Sequence, residues 1–269
     1  MNDVSRDIPE PIKRQVRQEC YFGCVICGCP VFEYDHIVEF SKVKEHTASN
    51  LALLCEQHHR AKTTGKMSVE RVIEARMNPF NATRLTTSAY RLEPNRTFDL
   101  MVGSNTAEAS FSPGSSVYRV LWVNGYDMLT LHCEDGWISV SFAVTDESGR
   151  VLLQVIRGEV TLSSSVWDYS YEGTRLQVRR KLREILIDID LSNRFLHVHQ
   201  GCFLLPTPNS TLDGFVVIGE VLVGVMESKE RSFSMGSKAV SNSHGGWALV
   251  NPAHHPELSK VGGFGFFLG

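Results

Sequence analysis

The 269-residue sequence is short of several things, and each shortage narrows what it can do. It has no run of about 20 apolar residues, so no membrane-spanning helix is expected. Its N-terminus, MNDVSRDIPEPIKR, places acids and prolines where a secretory leader needs a basic segment and an apolar run, which predicts a cytoplasmic location. It has no Gly-rich phosphate loop, nucleophile elbow or dinucleotide fingerprint, and the glycines of the closing GGFGFFLG have no strand-turn-helix context. An excess of positive charge is also missing: the net charge is -3 and the pI about 6.4, unlike a protein that grips nucleic acid over its whole surface. The seven cysteines do not form a disulfide framework. Cys133 and Cys202 stand alone, a pattern that suits thiols kept reduced for metal, and the sequons at Asn81, Asn95 and Asn209 then carry no meaning.

What is present is concentrated between Cys24 and Thr63. Cys24 and Cys27 form a C-x-x-C pair and Cys55 with His58 a C-x-x-H pair, two knuckles whose four ligands suit tetrahedral zinc. Cys20 and Cys29 lie nearby but lack a partner at knuckle spacing, so they read as packing residues. Between and after the knuckles comes a harder set of groups: Asp35 beside His36, then Asn50, then His59. Carboxylate, imidazole and carboxamide in this order supply ligands for a hard cation and a base for water, which is what metal-assisted phosphodiester hydrolysis needs.

At these residues the chain resembles an HNH endonuclease of the ββα-metal type. The family's C-x-x-C falls on Cys24 and Cys27, its D-H on Asp35 and His36, its central Asn on Asn50, and its C-x-x-C-H-x-x-K on Cys55, His58, His59 and Lys62, with His58 where many members have a fourth cysteine. The resemblance implies that His36 activates water, that Asp35 and His59 hold a catalytic Mg²⁺ or Mn²⁺, and that Asn50 orients the base or its strand. It also implies a structural Zn²⁺ at the knuckles, DNA as the substrate, and a place in restriction or phage defence. The opposing reading is a catalytically silent zinc-containing module that binds nucleic acid or protein, because a zinc knuckle is by itself only a folding staple.

The expected fold class is α+β: an N-terminal zinc-stapled ββα-metal unit at residues 1–80, a linker at 81–116 and a mainly antiparallel all-β domain at 117–269. PEPIKRQVRQEC predicts a helix, VFEYDHIVEF a short hairpin, Asn50 to Lys62 a helix, and SVERVIEARMNP a helix capped by Ser68 with Val69, Val72 and Ile73 buried. The linker is rich in Asn, Thr, Ser and Gly, with Pro94 and Pro113. Beyond it, runs such as WISVSFAV and EILIDIDL read as strands of a sandwich, barrel or short solenoid, parted by turn signals at Asp146–Gly149 and Ser192–Asn193. VTDESGRVLLQV and SVWDYSYEGTRLQVRR resemble the β-rich domain that trails HNH units in some bacterial proteins, without bringing active residues. His197 and His199, two apart, read as a sheet-surface pair, and His244, His254 and His255 likewise.

Residues 1–100 hold 14 Lys+Arg against 13 Asp+Glu, which leaves 13 against 17 of the totals of 27 and 30 for the remainder. Duplex affinity comes largely from phosphate neutralisation, so cations must gather locally, and Lys13, Arg14 and Arg17 before the knuckle with Arg60, Lys62 and Lys66 after it are the candidate phosphate contacts, each of which reads equally well as a solvated helix-surface charge. The acidic β-rich half is expected to pair subunits into a homodimer or to bind an activating ligand, while residues 1–100 alone are expected to retain weak, salt-sensitive nicking.

Overall fold

The structure, a computed structural model, describes residues 5–93, 97–102, 105–110, 116–123, 126–146, 150–161, 166–206, 212–218, 221–226, 229–233 and 245–249. Residues Glu147 to Gly149 of one expected turn, Asn95 and Asn209, Pro94 and Pro113, His244, His254 and His255, and the GGFGFFLG tail lie outside them.

The N-terminal part opens with α1 (Glu10–Glu19), begun by Pro9 and Pro11, whose fixed φ suits a first helical turn. Strand β1 (Glu33–His36) pairs antiparallel with β2 (Leu51–Leu54), so that Asp35 faces Ala52 and His36 faces Leu51. A short helix α2 (Phe40–Val43) and a 3-10 turn at Ala48–Asn50 cross between them. Helix α3 (Glu56–Thr63) follows β2 directly with Cys55 as its N-cap residue, and α4 (Val69–Met77) is capped by Ser68, whose hydroxyl accepts from the Arg71 N–H. The result is a ββα unit, with two differences from the sequence reading. VFEYDHIVEF supplies only one strand of its pair, and LALL is a strand, not the first turn of a helix. All four residues of LALL are buried, and a four-residue apolar run fits either period until its neighbours decide. In α4, Val72 and Ala75 are buried, whereas Val69 and Ile73 are exposed.

The remaining strands are β3 (Thr97–Val102), β4 (Asn105–Ser110), β5 (Ser116–Val123), β6 (Tyr126–Glu134), β7 (Trp137–Thr145), β8 (Val151–Ile156), β9 (Glu159–Thr161), β10 (Asp168–Glu172), β11 (Arg175–Lys181), β12 (Glu184–Leu191), β13 (Phe195–Pro206), β14 (Leu212–Ile218), β15 (Val221–Met226), β16 (Lys229–Phe233) and β17 (Gly245–Leu249). Among the described residues they form two sheets. One runs β10 to β16 in order with β3 and β4 added beside β13; the other runs β17-β5-β6-β7-β8-β9. Pairing is antiparallel except for β13 with β3 and β17 with β5. Apolar residues from both sheets, among them Leu100, Leu121, Phe142, Val178, Ile187 and Phe203, share one buried core. The fold is α+β with a β-rich C-terminal part.

Thr97–Val102 and Asn105–Ser110, inside the stretch read from sequence as a linker, are strands: Phe98, Leu100 and Val102 alternate into the core while β3 pairs with β13. The segment before them is tied down by bridges from Thr86 to Thr161 and from Leu92 to Ile138.

The two parts meet through α1. Arg17 is fully buried, and its guanidinium forks onto Asp168 of β10, with Nε to Oδ1 at 2.8 Å and Nη2 to Oδ2 at 2.6 Å. It also donates to Glu10 at 2.5 Å and to the Tyr34 hydroxyl of β1. Burial opposes its charge, but the hydrogen bond to Asp168 and the surrounding negative groups outweigh that and raise its pKa. Lys13 pairs with Glu172 at 3.2 Å, and Arg14 lies 4.3 Å over the Trp167 ring. The three cations expected to face phosphate before the knuckle are therefore turned toward the β-rich half. Among the described residues no helix is long and apolar enough to cross a membrane.

Candidate functional site

The ββα unit assembles two adjacent clusters. In the first, Cys24 and Cys27 come from the loop after α1, Cys55 from the end of β2 and His58 from the first turn of α3. Their ligand atoms all lie within 4.8 Å of one another. The separations are 3.8 Å for Cys27 Sγ to Cys55 Sγ, 3.5 Å for Cys24 Sγ to His58 Nδ1, and 3.2 Å for Cys55 Sγ to His58 Nδ1. With bonds of about 2.3 Å to sulfur and about 2.0–2.1 Å to nitrogen, a tetrahedral zinc would set edges of about 3.8 and about 3.6 Å. The four residues fit zinc. Without a cation the thiols cannot ionise together: hydrogen bonding from Cys24 and its neighbours draws the Cys55 pKa down, while the Cys24 thiol, hydrogen-bonded to Cys27 and then Cys55, is pushed far up. Cys20 is buried, where desolvation raises its thiol to about 11, and neither Cys20 nor Cys29 joins the four-ligand cluster.

The second cluster sits in an open cleft lined by Asp35, His36, Phe40, His59 and Lys62 among others. Glu33 and Asp35 are two apart on β1 and so share a face, and both reach His59 on α3. The Glu33 carboxylate lies 2.6 Å from His59 Nδ1, and Asp35 Oδ1 lies 3.5 Å from His59 Nε2. A proton on Nδ1 donated to Glu33 would leave Nε2 directed toward Asp35, the arrangement in which an imidazole binds metal through one nitrogen and a carboxylate through the other. An oxygen and an imidazole nitrogen facing one gap suit a divalent ion such as Mg²⁺ or Mn²⁺. Asp35 is 6% exposed, and its other oxygen takes the Lys62 ammonium at 2.5 Å, which also donates to the His36 carbonyl. Lys62 therefore serves the cleft from within, and only Arg60 and Lys66 of the second expected cation group are exposed.

His36 ends β1 beside Asp35, half-buried. Burial first and the neighbouring His46 second hold its pKa below the ordinary imidazole value, so the ring favours the neutral, proton-accepting form. Asn50 reaches back across the ββ loop. Its Oδ1 accepts from the Val38 N–H at 2.8 Å and its Nδ2 donates to the Val38 carbonyl at 3.0 Å, pinning the chain two residues beyond His36. Sequence reasoning missed Glu33 and His46. The first had a signal, an acid two residues before Asp35 on a strand; the second had none in the motif spacing.

Residues 24–65 match the family model for HNH endonuclease. This segment is an HNH endonuclease domain. No curated protein and no solved structure matches the chain. In the β-rich part, the half-buried His197 and His199 lie with ring centroids 3.7 Å apart and planes tilted by 42°, and His199 Nε2 meets Asp190 at 2.7 Å. Among the described residues the cysteine-histidine group is the metal cluster.

Proposed function

We propose that the protein is a metal-dependent DNA endonuclease in which His36 is the general base. The observation that carries this reading is the juxtaposition, in one open cleft, of a neutral-favouring His36 with the facing pair Asp35 Oδ1 and His59 Nε2 at 3.5 Å. Asp35 and His59 would hold Mg²⁺ or Mn²⁺, and such an ion supplies positive charge against the scissile phosphate and the departing oxygen. His36 takes a proton from the attacking water. Asn50 keeps the loop behind His36 in place, Glu33 keeps His59 in its ligand tautomer, and Lys62 offsets the charge of Asp35 within the cleft. Zinc held at Cys24, Cys27, Cys55 and His58 would tie β2 to α3 and so fix the spacing of the two sets. In this reading the acidic β-rich half pairs subunits into a homodimer or senses an activating ligand.

A zinc-stapled module that binds without cleaving is the second reading, favoured by the Lys62 ammonium already resting on Asp35. Supercoiled plasmid incubated with Mg²⁺ or Mn²⁺ separates the two. The endonuclease reading expects nicked product from the wild type and almost none from His36→Ala, whereas no cleavage by either protein supports the silent module.

A further inference from the structure

His46 lies outside the HNH pattern, yet it is the side chain bonded to His36. Its Nε2 stands 2.9 Å from the Ser5 carbonyl oxygen, which can only accept, so that nitrogen carries a proton. A neutral His46 then has a bare Nδ1, which stands 3.1 Å from His36 Nε2. The pair can make a hydrogen bond only if His36 is the donor. Neutral His36 has a single ring proton, so placing it on Nε2 leaves the lone pair on Nδ1. The second imidazole is held by packing: the Phe40 ring stacks on His46 at 4.7 Å and 12°, and lies 5.3 Å from His36.

We infer that His46 is a positioning residue which, clamped between the Ser5 carbonyl and the Phe40 ring, fixes the proton of His36 on Nε2 and makes Nδ1 its basic atom. The consequence for rate rests on the endonuclease reading; the tautomer does not. A base with its proton on the wrong nitrogen presents N–H where a lone pair is needed, and the same protein can lose turnover without losing substrate affinity.

The test uses the full chain loaded with zinc and no other metal. Nitrogen-15 histidine spectra at a pH where the rings are neutral are expected to give His36 a protonated Nε2 and a bare Nδ1. His46→Phe keeps a ring on Phe40 but removes the acceptor, and should move His36 toward a mixture of tautomers. With Mg²⁺ and plasmid it should lower kcat about 10–100-fold with KM nearly unchanged. His46→Asn, which restores an acceptor, should recover both the Nε2–H signal and part of kcat; it also covers the case in which His46→Phe loses zinc or fold. A wild-type His36 protonated on Nδ1, or an unchanged tautomer and kcat in His46→Phe, overturns the inference. A protein that carries the Nε2–H tautomer and loses it in His46→Phe, yet never cuts plasmid, upholds the role of His46 and overturns the endonuclease reading instead.

Discussion

The HNH unit and the β-rich half are stabilised in different ways. The first has a small core around Val16, Phe32, Leu51, Leu53 and Val72, and places its polar groups in convergent clusters. The second buries apolar side chains from two sheets in one larger core, and its buried carboxylates pair with arginines, as with Arg175 on Asp188 at 2.7 Å. A short segment with a small apolar core offsets less of its ordering entropy by burial, so a metal held at the four-ligand cluster would contribute more to it than to a sheet pair with a larger core. The HNH unit should therefore be the fragile one.

Metal removal should expose this difference most strongly. Structural zinc in small peptides is worth about 10–16 kcal/mol of apparent binding energy, nearly all of it folding energy. Chelation, or Cys27→Ser, should melt the helical signal and amide protection of residues 10–77 while the strand ladders persist. Metal analysis should find about one tightly held zinc per chain. Joint collapse of both parts, or a folded zinc-free unit, would break the comparison.

The joint between the parts comes next. Asp168→Ala leaves the Arg17 guanidinium buried without its fork, and breaking one side of a buried pair typically costs about 3–5 kcal/mol. The same loss befalls a fragment of residues 1–100, which lacks Asp168, Glu172 and the Tyr171 carbonyl that takes the Phe32 N–H at 3.2 Å. The fragment read from sequence as a self-standing nicking unit is therefore expected to be destabilised, and its residual cleavage is the measurement that tests that reading. Urea unfolding of Asp168→Ala should show the early transition displaced and the late one unmoved.

His36→Ala should keep zinc and fold while cleavage falls about 10²–10⁴-fold, the usual worth of a general base. Because burial and His46 depress the His36 pKa, the wild-type base stays neutral to lower pH than a free imidazole at about 6.5, and activity should decline only on the acid side of that value. The stability sign agrees. A depressed folded-state pKa means the unfolded chain takes up the proton first, so the contribution is full above about 6.5 and is lost as pH falls through the folded value. An activity midpoint above 6.5 would count against His36 as the base.

What could be read from sequence was local. Cys24-x-x-Cys27, Cys55-x-x-His58 and Asp35-His36 declare their chemistry within a few residues, and the structure brings each set together. What was missed was decided at a distance or between equal options. Arg17 looked like any helix-surface cation because its partner, Asp168, lies 151 residues away. LALL fits a helix or a strand, and only pairing with Glu33–His36 chooses. Phe98, Leu100 and Val102 alternate as a strand should, but a polar surround hid them until β13 supplied a parallel edge.

The smallest effect sharpens the contrast because it is confined to one unit. The Ser68 hydroxyl accepts the Arg71 N–H at 3.2 Å and satisfies one of the orphan donors at the start of α4. Ser68→Ala removes that acceptor at an exposed site, and loss of such a cap costs about 1 kcal/mol. Helix α4 places Val72 and Ala75 in the small core, and Arg76 on the same helix donates to the Leu51 carbonyl of β2 at 2.9 Å, so a frayed first turn weakens the support behind the zinc-bearing strand. The loss should appear only in the early, zinc-dependent transition, lowering its midpoint slightly at saturating zinc and more at limiting zinc, where binding no longer holds the folded form in excess. An equal shift in the late transition would mean that the two parts unfold as one cooperative body, with the buried Arg17–Asp168 joint outweighing the difference in their cores.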